Sequence, residues 1–448
     1  SGTTLGIGTA SGTINFLGNS QINTTGVITA TSFSGNVTGN VTGNVTGNVT
    51  GNVTGNADTA SGLSGNPSIN TTGIVTATTF VPTAGQISNR NKIINGGMKI
   101  FQRGTSAQRS GGSDGYYNGI ADRWAIRMHS SVAQTGFSED TTDNPEGFGT
   151  NQKSVRSNAG SSNAAKYYVF DTRLEGQDLQ DFAKGTSNAK EFTLSFYIKT
   201  SVSGVYCIEL RDLDNARMVG GTYTVSNGNW NRYVITFPAD TTGKFDNDNG
   251  ASLWVRFWLA AGSSFTSGTA RTTWGSVSGV NLAVGQTAQV GDNVADTWQI
   301  TGVQLEVGSV ATPFEHRSYG DELSRCSRYL QVFHVPSNDS YRASNITATV
   351  HGTGGGVYLN VAFTHPMRAA PSLTVDGAFG GNVFTGSWSG ATLSSITAEY
   401  STDALTTLGF NGVTSASVTG SHTTGLTGHI YTANNGSNDA ALIYSAEL

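Results

Sequence analysis

The chain contains the stretch Gly35-Asn-Val-Thr-Gly-Asn-Val-Thr-Gly-Asn-Val-Thr-Gly-Asn-Val-Thr-Gly-Asn-Val-Thr54, in which a four-residue unit is repeated five times without a break. In an extended chain, side chains at an even spacing point to one side, so the valines and glycines share a face. A helix is disfavoured because each interior glycine costs about 1 kcal/mol and valine and threonine are stiff at χ1. Collagen is excluded because it needs glycine at every third position. The stretch therefore predicts a strand with a valine-lined face, formed by Val37, Val41, Val45, Val49 and Val53.

This valine-lined face has no partner within a single strand. Identical copies of the chain would cover it if their valine and glycine faces met on a shared axis, so we predict a homotrimeric fibrous shaft. The alternative is a flexible linker rich in glycine, asparagine and threonine. The strict spacing of the valines favours the shaft, because a linker needs no register.

A duplicated unit flanks the repeat. Residues 22–33 read INTTGVITATSF and residues 69–80 read INTTGIVTATTF, with nine of twelve positions identical. Each copy predicts two short strands joined by a glycine turn, and we expect the copies to hold the repeat at both ends. The composition changes at residues 82–90, so the shaft is predicted to span residues 1–88.

The composition points to an extracellular all-β protein. Only 12% of the 448 residues are charged, and 59 are glycine. A net charge of −5 offers no basic surface, so we expect no nucleic-acid partner. No apolar run approaches the roughly 20 residues that cross a bilayer, so we expect no membrane insertion. The start at Ser1 is consistent with a processed product or a fragment, and Cys207 and Cys326 are predicted to be buried thiols.

The sequence after the shaft predicts a globular β-domain over residues 89–318. At least six stretches have alternating or continuous apolar character between Gly, Asn and Asp turns, which is typical of a β-sandwich or jelly roll. These stretches are Ala165 to Phe170, Glu191 to Thr200, Val205 to Arg211, Trp230 to Phe237, Leu253 to Ala260 and Thr297 to Val307.

One helix is predicted next, over residues 319–331. Leu323, Cys326 and Leu330 share one face of it, and Asp321 and Glu322 lie in its first turn, where acidic side chains are favourable. We expect this helix to link the sandwich to a second β-domain, a C-terminal tip over residues 332–448. The overall fold class is therefore all-β, with a fibrous shaft, a jelly roll, a linking helix and a β-tip.

Several motifs give the chain a specific resemblance. The segments Asn91-Lys-Ile-Ile-Asn-Gly-Gly-Met-Lys-Ile-Phe-Gln-Arg-Gly104, Asp122-Arg-Trp124, Leu305 to Leu323 and Cys326-Ser-Arg-Tyr329 resemble those of bacteriophage tail fibre and other virion structural proteins. The low-complexity shaft is similar to fibres of marine phages that infect cyanobacteria. The resemblance implies a jelly roll akin to carbohydrate-binding modules, a trimeric fibre and a role in host attachment, and it carries over no catalytic residue.

Metal sites have weak support in the sequence. The seven histidines show no metal-ligand spacing, although three copies of His422 and His429 would ring a metal if they met on a trimer axis. Asp246-Asn-Asp-Asn-Gly250 offers oxygen ligands for calcium, but the spacing of an EF-hand is missing, so a polar turn is favoured. We expect no cofactor.

Glycan binding is better supported than glycan cleavage. Cleavage needs two carboxylates held about 5 to 9.5 Å apart. Two groups of acidic residues are close in sequence, namely Glu175, Asp178 and Asp181, and Asp212 and Asp214. Such closeness is common in surface loops, so it is weak evidence for cleavage. Binding needs aromatic faces and polar loop groups. Six aromatic residues in glycine- or serine-rich contexts are predicted to contact a glycan: Trp388, Phe379, Phe384, Trp274, Tyr116 and Tyr117. Four others in strand patterns are predicted to lie in the core: Trp124, Trp254, Trp258 and Trp298.

The combined hypothesis is a phage tail fibre, located extracellularly in the virion, that attaches to a host surface polysaccharide without cleaving it. Its expected partners are two further copies of the chain, other virion tail proteins and the host polysaccharide. Two alternatives remain, a purely structural virion or surface-filament protein and a fibre-borne polysaccharide depolymerase.

Overall fold

The computed structural model describes residues 88–132, 134–226, 228–335, 347–351, 356–376, 393–398, 411–418, 427–429 and 440–448. The predicted shaft, with Val37, Val41, Val45, Val49 and Val53, lies outside the described residues. The homotrimer therefore stays a prediction.

Thirteen strands form the first part of the described fold. They are β1 Ser106–Arg109, β2 Asp114–Gly115, β3 Ala125–Met128, β4 Thr135–Asp140, β5 Asn151–Arg156, β6 Tyr167–Glu175, β7 Phe192–Thr200, β8 Gly204–Asp212, β9 Arg217–Val225, β10 Asn231–Phe237, β11 Ala251–Ala261, β12 Gly275–Ser276 and β13 Thr297–Val307. Short 3-10 helices span Gly176–Phe182 and Gly279–Asn281, and helix α1 spans Ser263–Thr266.

These strands form two antiparallel sheets. Sheet A has six strands in the order β1-β4-β5-β13-β7-β10, and sheet B has seven in the order β12-β9-β8-β11-β6-β3-β2. The alternation of β7 explains the layering, because Leu194, Phe196 and Ile198 are buried while Tyr197 and Lys199 face outward. The ring of Phe196 contacts Phe257 of sheet B at a centroid distance of 5.1 Å. The sheets therefore enclose one hydrophobic core, and the predicted jelly-roll β-sandwich is confirmed.

The tryptophan prediction needs one correction. Trp124 and Trp298 lie fully in the core between the sheets, and Trp258 is buried on the outer side of sheet B beneath the segment that contains α1. Trp254 is different, because it occupies the outward phase of β11 and is half-buried. The prediction that Trp254 is a core residue is therefore wrong; its alternation with Leu253 and Val255 places it on the outer face.

The remaining elements follow the sandwich. Helix α2 spans Tyr319–Ser327, and the strands are β14 Leu330–Val335, β15 Thr347–His351, β16 Gly356–Ala362, β17 Ser372–Asp376, β18 Leu393–Ala398, β19 Asn411–Val418, β20 Thr427–His429 and β21 Ala440–Ser445. They form a three-stranded sheet, β14-β21-β17, and a five-stranded sheet, β18-β19-β16-β15-β20. Within the described residues, no helix is long and apolar enough to cross a membrane.

Helix α2 is shorter than predicted. It begins after Ser318, whose hydroxyl oxygen accepts a hydrogen bond from the Asp321 amide at 3.1 Å, and it ends at Ser327 rather than at residue 331. The reason is strand pairing, because Leu330 is the first residue of β14 and lies opposite Ser445 of β21. Tertiary pairing therefore overrides the helical spacing of Leu330.

The motifs that carry the resemblance meet at one buried junction. It lies between α2, the sandwich and the end of the chain. The Asn95 amide donates to Glu322 of α2 at 2.5 Å, and the indole of Trp124 donates to the Asn95 carbonyl at 3.1 Å. The guanidinium of Arg123 lies 3.5 Å from the ring centroid of Tyr329 and forms an ion pair with Glu447. Helix α2 and the residues after β21 are thus anchored to the sandwich, whereas the predicted division into separate domains stays a prediction.

Candidate functional site

The outward face of sheet A is built from the polar phase of its strands. Tyr197 of β7 lies opposite Arg232 of β10 on one side and Thr301 of β13 on the other. Lys199, two residues further along β7, lies opposite Gln299. Side chains two residues apart on a strand point the same way, about 7 Å apart. The face therefore combines an aromatic side chain with cationic and amide groups.

Four ring side chains form an aromatic cluster on this face: Phe148, Tyr197, Phe314 and His316. The ring centroid of Phe148 lies 5.2 Å from Tyr197, 5.1 Å from Phe314 and 5.2 Å from His316. Phe314 and His316 are 4.9 Å apart with an edge-to-face geometry. The His316 ring is exposed and the other three are half-buried. The cluster is therefore a partly exposed aromatic surface.

A glycine makes room for this cluster. Gly302 lies in an irregularity of the β13–β7 pairing between Thr301 and Gln304, and its φ is 63°. A Cβ atom at this position would lie 2.6 Å from the Phe148 ring and 2.9 Å from the Tyr197 ring. Glycine is thus required both for the left-handed backbone and for the close approach of Phe148.

The loop after β13 positions Phe314. The Gln304 amide donates to the Pro313 carbonyl at 3.3 Å, and its oxygen accepts from the Glu315 amide at 2.8 Å. Glu306 accepts from the backbone of Thr312 at 2.9 Å. Outward-facing residues of β13 therefore fold this loop back over sheet A and hold the Phe314 ring against Phe148.

A polar patch borders the aromatic cluster. One carboxylate oxygen of Asp143 accepts from the Trp230 indole at 3.2 Å, and the other accepts from Lys199 at 2.7 Å. The side chains of Lys199 and Asp143 remain 30% and 38% exposed. A second pair joins Lys153 to Asp140 at 2.7 Å. Lys199, Asp143 and Lys153 are therefore accessible to hydroxyl groups of a ligand, whereas Asp140 is only 7% exposed.

The two carboxyl groups of this patch are ionised at neutral pH. The hydrogen bond from Lys199 lowers the pKa of Asp143. Burial acts to raise the pKa of Asp140, but hydrogen bonds from Lys153 and Thr142 outweigh it and lower that pKa to about 2. Burial lowers the pKa of His316, and Lys99 lowers it further. None of these three groups is therefore a proton donor at neutral pH.

The aromatic residues predicted to contact a glycan lie elsewhere or outside the described residues. Trp274 is in the core, where its indole donates to the Pro238 carbonyl at 2.8 Å. Tyr116 donates to the Leu448 carbonyl at 3.0 Å, and burial raises its pKa to about 12. Tyr117 is half-buried beneath the guanidinium of Arg109. The structure does not bring these three rings together, and Trp388, Phe379 and Phe384 lie outside the described residues.

Within the described part of the chain, no group of three His, Cys, Asp or Glu side chains is arranged to hold a metal. In the segment predicted as a calcium site or a polar turn, the Asp246 amide donates to Asp214 at 3.0 Å and the Gly250 amide donates to Asp248 at 2.8 Å. The side chains of His422 and His429 lie outside the described residues.

Three of the acidic residues weighed for glycan cleavage are paired with basic side chains. Glu175 is buried and accepts two hydrogen bonds from Arg328, at 3.1 and 2.9 Å. Asp181 pairs with Lys92 at 2.7 Å, and Asp212 is buried against Lys184. Burial raises the pKa of Asp178, and the charge of Glu175 raises it further.

Both cysteines are buried free thiols, as predicted. Burial raises the pKa of Cys207 to about 12, so this thiol is not a nucleophile at neutral pH.

The residues that form this face are not among those predicted from sequence to contact a glycan. Tyr197 interrupts the polar phase of β7, between Ser195 and Lys199, and an aromatic side chain at that phase is the signal that would have identified it. The same kind of signal would have identified Trp230, which directly precedes β10. Phe148 and Phe314 carried no such signal, because their proximity depends on the pairing of distant strands.

Comparison with known proteins identifies no family. No protein-family model and no curated protein matches the chain. Among solved structures, the enzymatically active domain of tailspike protein 4 from bacteriophage CBA120 is similar over 48% of this chain and 21% of its own, with 11% identity and a TM-score of 0.24.

Two further solved structures are carbohydrate-binding modules. The module TmCBM61, solved with β-1,4-galactotriose, aligns over 49% of this chain and 99% of its own, with 9% identity and a TM-score of 0.25. The CBM22-1 xylan-binding domain of Paenibacillus barcinonensis Xyn10C aligns over 52% and 100%, with 12% identity and a TM-score of 0.23. At these values the similarities do not indicate what this chain binds.

Proposed function

We propose that this chain is a homotrimeric phage tail fibre protein that attaches to a host cell-surface glycan by non-covalent binding through the outward face of sheet A. The observation that carries the binding role is the aromatic cluster of Phe148, Tyr197, Phe314 and His316 beside exposed charged pairs. The phage identity and the trimer rest on the motifs and the valine repeat of the sequence.

The chemistry of this face suits a carbohydrate. A sugar ring has an apolar side, which packs on aromatic rings, and a rim of hydroxyl groups, which hydrogen-bond to polar side chains. Phe148 and Tyr197 supply the rings. Lys199 lies two residues from Tyr197 along β7 and supplies a donor, and its partner Asp143 supplies an acceptor.

Several copies of the face would act together. A trimeric fibre presents three identical faces, and tethered sites raise the overall affinity without any new contact. A weak site for a single sugar unit is therefore sufficient for attachment to a repetitive polysaccharide.

We propose binding without cleavage. The carboxylates at this face, Asp140 and Asp143, have lowered pKa values, whereas a glycosidase needs one carboxyl group that retains its proton. Asp122, whose pKa is raised by burial to about 7, is fully buried and out of reach of a substrate.

The test compares the full-length chain with Tyr197→Ala in binding to host cells and purified host polysaccharide. We expect the variant to lose at least about fivefold in affinity, equivalent to about 1 kcal/mol for a central contact residue. Tyr319→Ala is the matched control, because Tyr319 is 61% exposed on α2 and, among the described residues, its ring makes no contact with the aromatic cluster. Thermal unfolding confirms that both variants fold.

Three readouts separate the alternatives. Light scattering reports whether the chain is a trimer, and a monomer would contradict the fibre. Release of reducing ends from the polysaccharide would identify a depolymerase. Absence of saturable binding by the wild type would leave a structural protein, and equal binding by wild type and Tyr197→Ala would exclude this face.

A further inference from the structure

The outer face of sheet B carries a group of four arginines around one indole. The guanidinium carbons of Arg256, Arg173, Arg127 and Arg211 lie 4.3, 4.4, 4.8 and 5.4 Å from the ring centroid of Trp254. Strand register explains the arrangement, because Trp254 of β11 lies opposite Arg173 of β6 and Arg211 of β8. We call these five residues the arginine cluster.

Two carboxylates neutralise part of the cluster. Glu209 accepts from Arg211 at 2.6 Å and from Arg256 at 3.0 Å. Asp171 accepts from Arg127 at 2.8 Å. Four cations thus meet two anions, which leaves an excess of two positive charges on a chain whose net charge is −5.

Arg173 is the unmatched member. Among the described residues, no carboxylate lies within ion-pair distance of its guanidinium, and no described residue accepts a hydrogen bond from that group. Its Nε atom is buried without a partner, as is the Nε atom of Arg256. A buried donor without an acceptor is costly, so a water molecule or an anion that accepts from Arg173 would stabilise this arrangement.

The electrostatics of Arg173 agree with this geometry. Burial lowers its pKa, and the neighbouring charges of Arg127 and Arg256 act in the same direction, although Tyr116 and Asp171 act to raise it. An added anion would relieve both effects, because it restores a hydrogen-bond acceptor and offsets the repulsion between like charges.

The indole also sets the orientation of the donors. A guanidinium that packs over an aromatic ring keeps its N–H groups directed outward in its own plane, in a fork that matches two oxygens of a carboxylate, sulfate or phosphate. Arg173 and Trp254 are half-buried, so a small anion reaches them from solvent.

We infer that the arginine cluster is a binding site for an oxyanion group, with Arg173 as its principal donor. The site lies on sheet B, so it is separate from the proposed glycan-binding face of sheet A and does not depend on it. The oxyanion is carried either by an acidic polysaccharide or by a free small anion, and both share the same recognition chemistry.

The test measures thermal unfolding of the full-length chain in sodium sulfate and in sodium chloride of equal ionic strength. Sulfate also stabilises proteins by exclusion from their surface, so the informative quantity is the sulfate-dependent shift of each variant relative to wild type. We expect Arg173→Gln to lose the site-specific part of the shift. Arg325→Gln, a partly exposed arginine that pairs with Asp321 of α2 and with the side chain of Asn89, keeps the full shift and serves as the matched control.

A direct binding measurement covers the case in which Arg173→Gln unfolds. Arg173→Lys retains the charge but lacks the planar fork. We expect it to bind sulfate and glucuronate at least about tenfold more weakly than wild type, because it loses hydrogen bonds to a charged group. Wild-type affinity for both anions in Arg173→Lys, or an equal sulfate shift in Arg173→Gln, would overturn the inference.

The source of the oxyanion is resolved by a polysaccharide arm. A sulfated or uronate polysaccharide that binds the wild type and Tyr197→Ala, but not the Arg173 variants, identifies a polymer ligand. If only the binding of inorganic sulfate depends on Arg173, the ligand is a small anion. Failure of sulfate, glucuronate and the acidic polysaccharides to bind the wild type would refute the site, while the Tyr197→Ala result on sheet A would stand.

Discussion

The ammonium group of Lys184 lies 2.5 Å from a carboxylate oxygen of Asp212, and both side chains are completely buried. Asp240 lies 3.0 Å from the same ammonium, and the carbonyls of Thr242 and Gly243 accept from it at 3.2 and 2.7 Å. Lys184 therefore occupies a cage of oxygens that joins loops at one end of the sandwich.

We expect Lys184→Met to destabilise the chain by about 3 to 5 kcal/mol, because it leaves the buried carboxylate of Asp212 without its cation, while Asp240 keeps its pair with Arg217. Urea unfolding followed by tryptophan fluorescence measures the loss. Lys199→Met is the control, since Lys199 and Asp143 are partly exposed and such a pair is worth about 1 kcal/mol or less. Equal losses in the two variants would contradict the role assigned to Lys184.

Asp122 should make stability depend on pH. Burial raises its pKa to about 7 in the folded chain, above its ordinary value of 3.8, although Arg103 and the hydrogen bonds from Gln102 act in the opposite direction. A folded-state pKa that is raised means that the folded chain holds the proton more tightly, so the stabilising contribution is complete at acidic pH and is lost as the pH rises towards 7.

We therefore expect the free energy of unfolding to contain a component that falls by up to about 1.4 kcal/mol per pH unit between pH 5 and pH 7. Asp122→Asn should remove this component, so that the difference between wild type and variant changes with pH. Urea titrations at several pH values measure it. A constant difference across the range would show that Asp122 keeps the same protonation state on folding.

The sandwich was predictable where the alternation of apolar residues is strong. Strands β7, β11 and β13 were all identified from sequence because their inward positions form one continuous hydrophobic core. Strand β9 was missed, since its centre is Gly220-Gly221, which lowers strand propensity. A Cβ atom on Gly221 would lie 2.7 Å from Ile235, so the glycine admits a side chain of the neighbouring sheet.

The proposed binding face was not predictable by the same means. The aromatic residues predicted to contact a glycan lie in glycine- or serine-rich stretches, whereas Phe148 and Phe314 are separated by more than half of the sandwich sequence and meet only through sheet pairing. Trp254 shows the opposite error, since its strand context suggested burial although its phase along β11 points outward. The inward or outward position of a residue along its strand therefore predicted its burial better than the apolar residues around it.

The contact between Arg123 and Glu447 should anchor the end of the chain. Their side chains are only 2% and 4% exposed, and Glu447 also pairs with Arg103 at 3.5 Å. We expect Glu447→Gln to cost about 3 kcal/mol, because it leaves buried guanidinium groups without a counter-charge. Hydrogen exchange should also accelerate at Ala446, whose amide donates to the Tyr329 carbonyl at 2.7 Å.

Asp321→Asn is the matched control for this anchor. Asp321 forms an exposed pair with Arg325 within α2, and pairs of this kind are worth about 0.5 kcal/mol or less. Unchanged exchange at Ala446 in Glu447→Gln would show that strand pairing alone holds the end of the chain.

Gly302 gives the sharpest test of the aromatic cluster, because a single methyl group should disturb it. A Cβ atom there would lie within 2.6 Å of the Phe148 ring, and alanine at a φ of 63° adds backbone strain of about 1 to 2 kcal/mol. We expect Gly302→Ala to displace Phe148 and to weaken binding to host polysaccharide by at least about fivefold. Gly320→Ala is the control, since no atom lies within 4 Å of the added methyl group and alanine favours the helix by about 0.5 to 1 kcal/mol. If Gly302→Ala is destabilised but binds as tightly as wild type, the aromatic cluster serves packing alone and the glycan contact must lie elsewhere on the chain.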